Sequence, residues 1–96
     1  MGLLTIERIS VLLIEPSNAQ VMVIEKAIRD AGVVNIERVK SGSEGLKVAE
    51  RYPPDLIVSS LYLPDMIGSE LLEALRKKPN TAAIPFVLIS SETKFD

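Results

Sequence analysis

Pro53-Pro54-Asp55-Leu56-Ile57-Val58-Ser59-Ser60-Leu61-Tyr62-Leu63-Pro64-Asp65-Met66-Ile67-Gly68 runs from a proline turn through a short apolar segment and two serines into a second loop marked by proline and glycine. Leu56, Ile57 and Val58 are consecutive rather than alternating apolar residues. That pattern belongs to a strand covered on both faces, and the flanking prolines prevent a helix from taking it. In open α/β sheets the ligand or reacting group sits just past the carboxyl end of such a strand. Ser59, Ser60 and Leu61 occupy that position here.

The rest of the chain supplies partners for this strand. Ile9 to Ile14 is β-rich and apolar and ends at Glu15-Pro16-Ser17, which predicts a first buried strand. Ser17-x-x-Gln20 fits a capping box, and Val21, Ile24, Ile28 and Ala31 share one helical face until Gly32. A first helix is therefore expected over Asn18 to Ala31. Asn35 to Val39 mixes apolar and polar residues, as an edge strand does. Ser41-x-x-Glu44 opens a second helix with Leu46 and Ala49 inward and Lys47, Glu50 and Arg51 outward, closed by Tyr52-Pro53-Pro54. Beyond Gly68, Leu71, Leu72 and Leu75 recur at helical spacing until Pro79-Asn80, and Ile84 to Ser90 reads as a fourth strand. The order β-α-β-α-β-α-β with short connections predicts a parallel sheet with helices on both faces, in one α/β domain spanning residues 1–96. There is no internal repeat, linker or low-complexity segment.

Composition narrows the chemistry. With 47% hydrophobic residues but only two Phe, two Tyr and no Trp, the core must be mainly aliphatic. Eleven basic and 13 acidic residues without a run of either sign argue against nucleic acid as a partner. Cysteine and histidine are absent, which removes disulfides, thiolate nucleophiles, the usual zinc ligands and His-based catalysis. Met1 to Arg8 does not follow a signal-peptide pattern, and no apolar run reaches membrane-spanning length. A cytoplasmic protein with no membrane partner is expected.

Pro54, Asp55, Leu56, Ile57, Pro64 and Gly68 fall in register with the pattern Pro-Asp-Leu-Ile-x-x-Asp-x-x-x-Pro-x-x-x-Gly. The chain thereby resembles the CheY-like receiver domains of two-component response regulators, from about Ile9 to Ser91. The resemblance implies a flavodoxin-like fold with strand order 2-1-3-4-5. It places the phospho-acceptor aspartate on Ser60, the pair of metal-holding acids on Glu15 and Pro16, and the switch hydroxyl on Ser90. Receivers continue into a fourth helix, a fifth strand carrying a catalytic lysine, and a fifth helix. Because the chain ends at Asp96, the expected order is 2-1-3-4, without the fifth strand and last helices.

The departures govern the functional expectation. A serine hydroxyl cannot form the acyl phosphate that a carboxylate forms. Magnesium takes several oxygen ligands in near-octahedral geometry, and only Glu15 remains of three expected carboxylates, so no Mg2+ cofactor is expected. Ser60 as a nucleophile would need an adjacent base, and the bland alternative is a small residue packed at a strand end. Glu15 is expected as a solvated carboxylate favoured by the dipole of the first helix, and Ser90 as a local strand-ending hydroxyl. Asp65 lies on the following loop and Asp55 at the opposite strand end, so neither replaces the missing acid. The expected function is a degenerate receiver, a binding module rather than an enzyme, which contacts protein partners of a signalling pathway. It is expected to form homo-oligomers through an exposed fourth strand. Two alternatives stand beside it. One is a small-ligand or nucleotide-binding flavodoxin-like module, for which Gly42 and Gly45 make only a sparse phosphate cradle. The other is an active phosphoacceptor with a displaced acid.

Overall fold

A computed structural model describes residues 5–90, in which a short 3-10 turn (Ile6–Arg8) leads into alternating strands and helices. These are β1 (Ser10–Ile14), α1 (Asn18–Asp30), β2 (Asn35–Val39), α2 (Gly42–Arg51), β3 (Leu56–Ser60), α3 (Gly68–Arg76) and β4 (Phe86–Ile89). The strands form one parallel sheet in the order β2-β1-β3-β4. The predicted flavodoxin-like order for the first four strands is thus the observed one.

Side-chain alternation along the two central strands distributes the core over both faces. Val11, Leu13 and Val58 pack with Val33 on the face where α1 lays down Val21, Ile24 and Ile28. Leu12, Ile14 and Ile57 point the other way, onto Ala49 of α2 and Leu71 and Leu75 of α3. Helices therefore cover both faces, as the unbroken apolar run of β3 requires.

Boundaries differ from the sequence expectation where a local hydrogen bond competes with the ladder. Ile9 stays outside β1 because its N–H closes the preceding turn onto Ile6 O (3.2 Å), while Ser10 N is taken by Asp55 Oδ2 (2.8 Å). The fourth strand is shorter than Ile84 to Ser90. Ile84 N bonds back to Thr81 O (3.2 Å), and Pro85 has no N–H to give, although its carbonyl accepts Ile57 N (2.9 Å). At the other end of α1, Ala31 caps the helix and is exposed rather than inward. Gly32 follows with φ 107°, and Val33 N reaches back to Ile28 O (3.3 Å), a Schellman closure that needs a residue free to adopt positive φ.

Thr81, in the α3–β4 connection, is fully buried yet satisfied, because its hydroxyl donates to Leu75 O (2.7 Å). Arg76 secures the same turn by donating to Ile84 O (2.9 Å). The entry of β4 into the sheet is fixed by these two side chains.

Ile57 has 0% exposure on the face shared by α2 and α3. Ile57→Leu should cost less than ~1.5 kcal/mol, whereas Ile57→Asp should unfold the chain by burying an unpaired charge. Thermal melts followed by circular dichroism check both; a cooperative transition for Ile57→Asp would contradict the placement.

Candidate functional site

The parallel register gathers the predicted positions at one sheet edge. Ile14 pairs with Ser59 and Ser60 with Ile89, so Glu15, Ser60 and Ser90 all lie at the carboxyl ends of their strands. Ser90 follows the last residue of β4 and is exposed. The switch-hydroxyl position is therefore just outside the strand in which it was expected.

Glu15 departs further from expectation, since it is 2% exposed rather than solvated. Its N–H still bonds Val39 O (3.0 Å), so it continues the alternation of Val11 and Leu13 and turns its side chain inward on the α1 side. Oε2 accepts from Ser17 N (3.0 Å), while Oε1 is buried without a partner among the described residues. Arg38 of β2 closes over this corner, its Nε donating to Glu15 O (2.9 Å) and its other nitrogen to Asn18 Oδ1 (3.0 Å). Arg38 was not anticipated, because an arginine in a mixed edge strand carries the same sequence signal as a solvated one.

Pro16 supplies no side-chain oxygen, and Ser17 beside it serves as the N-cap of α1 by accepting from Gln20 N (3.2 Å). Ser60 is 7% exposed, and its carbonyl accepts from the buried Ser59 hydroxyl (2.9 Å). Among the described residues no acid or amine is hydrogen-bonded to the Ser60 hydroxyl, which leaves it without the base a serine nucleophile requires. The donor set does not fit magnesium either. One carboxylate and one hydroxyl fall short of an oxygen-rich octahedron, and the described residues bring no three His, Cys, Asp or Glu side chains together.

The remaining acids near β3 are engaged elsewhere. Asp55 binds Ser10 at the amino end of the sheet through its main-chain N–H and hydroxyl (2.8 and 3.2 Å). Asp65 places its two carboxylate oxygens on Gly42 N and Ser43 N at the start of α2, each at 2.9 Å. The Gly42 N–H, then the Ser43 N–H, hold its carboxyl below the ordinary value of 3.8, against a small opposing effect of burial. The backbone groups that a phosphate would need at α2 are thus already taken by a carboxylate. Three surface depressions, of about 430, 440 and 460 Å3, lie under the start of β1, between β2 and α2, and along α1. None of the three is lined by Glu15, Ser60 or Ser90.

A family model described as the response regulator receiver domain matches residues 11–96. The chain belongs to the response regulator receiver family. It is 27% identical over 86 residues to a probable chemotaxis protein CheY of Rhizobium etli, covering 90% of this chain and 67% of that protein. It is 37% identical over 87 residues to the cell cycle transcriptional regulator CtrA of Caulobacter vibrioides, covering 90% of this chain but 36% of the relative. Among solved structures, the receiver domain of a signal transduction histidine kinase from Syntrophus aciditrophicus superposes with a TM-score of 0.80 at 27% identity, over 90% of this chain and 64% of that one. This receiver therefore spans from about a third to two thirds of such relatives. Among its described residues, no helix is long and apolar enough to cross a membrane.

The lowered carboxyl of Asp65 gives a pH signature with a definite sign. A depressed folded-state pKa stabilises fully above the unfolded value near 3.8, and that contribution disappears as pH falls through the lower folded value. The stability advantage of the native protein over Asp65→Asn should therefore be constant near neutrality and vanish in strong acid. Urea midpoints of both proteins across that range measure it.

Proposed function

We propose that this receiver acts without phosphoryl chemistry, as a protein-binding module of a two-component-type signalling protein. The observation that carries this reading is a serine at the end of β3, where the family pattern has its aspartate, with Pro16 beside Glu15 at the end of β1. A hydroxyl cannot form an acyl phosphate, and one carboxylate is too few for Mg2+. The module is not itself an enzyme, and it needs no cofactor. Relatives with catalytic names, such as the protein-glutamate methylesterase/protein-glutamine glutaminase of Archaeoglobus fulgidus, share only 23% of their length with this chain. Mixed surface charge disfavours nucleic acid, and the expected setting is the cytoplasm, with other signalling proteins as partners.

Incubation with acetyl phosphate and Mg2+ should leave the intact mass unchanged, and beryllium fluoride should form no adduct. A hydroxylamine-labile gain of one phosphoryl group would overturn the reading. Ser60→Asp alone should not restore the reaction, because Pro16 still withholds the second metal acid; strong Mg2+-dependent labelling of that variant would refute the ligand count.

We also infer that the 96-residue chain self-associates through β4. Among the described residues this strand pairs only with β3, Pro85 to Ser90 carry no charge, and Val87 and Leu88 are 46% and 41% exposed. An uncharged strand edge with free N–H and C=O groups favours pairing with a second copy about a two-fold axis. Light scattering should give a mass that rises above 10.5 kDa with concentration, and a constant monomeric mass would overturn it.

A further inference from the structure

The loop between β3 and α3 is held at both its base and its tip. At the base, Gly68 N bonds Leu61 O (2.6 Å), Tyr62 and Ile67 form an antiparallel bridge, and Leu63 N bonds Met66 O (3.0 Å). At the tip, Asp65 grips Gly42 N and Ser43 N across 23 and 22 residues of sequence. Met66 packs beside it so closely that a Cβ at position 42 would lie 2.5–2.8 Å from three atoms of its side chain. A side chain at position 42 would displace Met66 from this seat.

The first turn of α2 leaves four N–H groups without intrahelical partners. Glu44 N donates to Ser41 Oγ (3.2 Å), Gly45 N begins the helical pattern on Ser41 O (3.0 Å), and Glu44 Oε1 returns to Lys40 N (3.0 Å). Ser41 thus caps the helix through Glu44 N while Glu44 turns back onto Lys40 N, which leaves Gly42 N and Ser43 N for Asp65. The charge-assisted pair from Asp65 takes up those two N–H groups from a loop distant in sequence, so it ties the loop to α2 as well as capping the helix.

We propose that Asp65 is a latch that locks the loop after position 60 into one conformation, with Met66 seated on Gly42 as its packing half. Tyr62 and Ile67, 62% and 40% exposed, are thereby held in fixed positions on this face. The conformation of this face is set by a carboxylate carried on the loop itself. That it needs no modification at Ser60 rests on the function proposed above, whereas the latch does not.

Residue-resolved amide hydrogen exchange of the 96-residue protein tests it. In Asp65→Ala, exchange at Gly42 and Ser43 should accelerate by about tenfold or more. Exchange at Leu63 and Gly68, two base amides that Asp65 does not touch, should accelerate with it, while the central strands stay protected. Asp65→Asn, which retains one acceptor oxygen, should fall between the two and serves alone if the alanine variant does not fold. Acceleration confined to Gly42 and Ser43 would reduce Asp65 to a helix cap and overturn the latch, as would no acceleration at all. A hydroxylamine-labile phosphoryl gain, which would sink the proposed function, does not bear on these rates, which are read on the unphosphorylated protein, so the two readings fail separately.

Discussion

Burial of β1 and β3 on both faces is the constraint on which the rest of the structure depends. From Val11 to Ile14 no residue is more than 2% exposed, so every main-chain N–H and C=O there must find its partner in the ladder and every side chain must meet a helix. Parallel pairing to β2 on one side and β3 on the other meets the first demand. The second forces α1 onto one face and α2 with α3 onto the other. Polar side chains can then emerge from the central strands only at their ends, which is why Ser10 and Asp55 meet at one edge and Glu15 and Ser60 lie at the other.

At the carboxyl edge the residues have been turned toward holding the fold. Glu15 accepts the Ser17 N–H from beneath α1, and its carbonyl carries Arg38, which in turn reaches Asn18. This ties the ends of β1 and β2 to the start of α1 within one polar corner. The single oxygen left unpartnered, Glu15 Oε1, marks the corner as the least satisfied buried polar group among the described residues.

Asp65 shows the same economy of charge. A carboxylate is favoured at a helix N-terminus both by the dipole and by the free N–H groups, and here it arrives from a loop distant in sequence. Two separate helical units, α2 and the entrance to α3, become mechanically joined through it. Glu70 Oε1, accepting from Ile67 N (3.2 Å), closes the other end of that entrance.

Much of the architecture was legible in the sequence, because its signals are local and periodic. The bounds of β2, the buried run at Ile57 and Val58, the Ser17 and Ser41 caps, and the glycine that ends α1 all follow from side-chain alternation, hydroxyl capping and backbone freedom within a few residues, whereas Ser59 and Ser60, expected just past the end of β3, are its last two residues and buried. The substitutions at positions 16 and 60 were equally plain, since a residue type is itself the observation. Tertiary structure alone decided whether a polar side chain is solvated or enclosed. Glu15 and Arg38 look like surface charges until the register of β1 and β2 brings them under α1, and Asp65 looks like a loop residue until the fold sets α2 beside it. Periodicity specifies which face a residue occupies within its own element; hydrogen bonds between groups more than 20 residues apart exist only once the elements have packed.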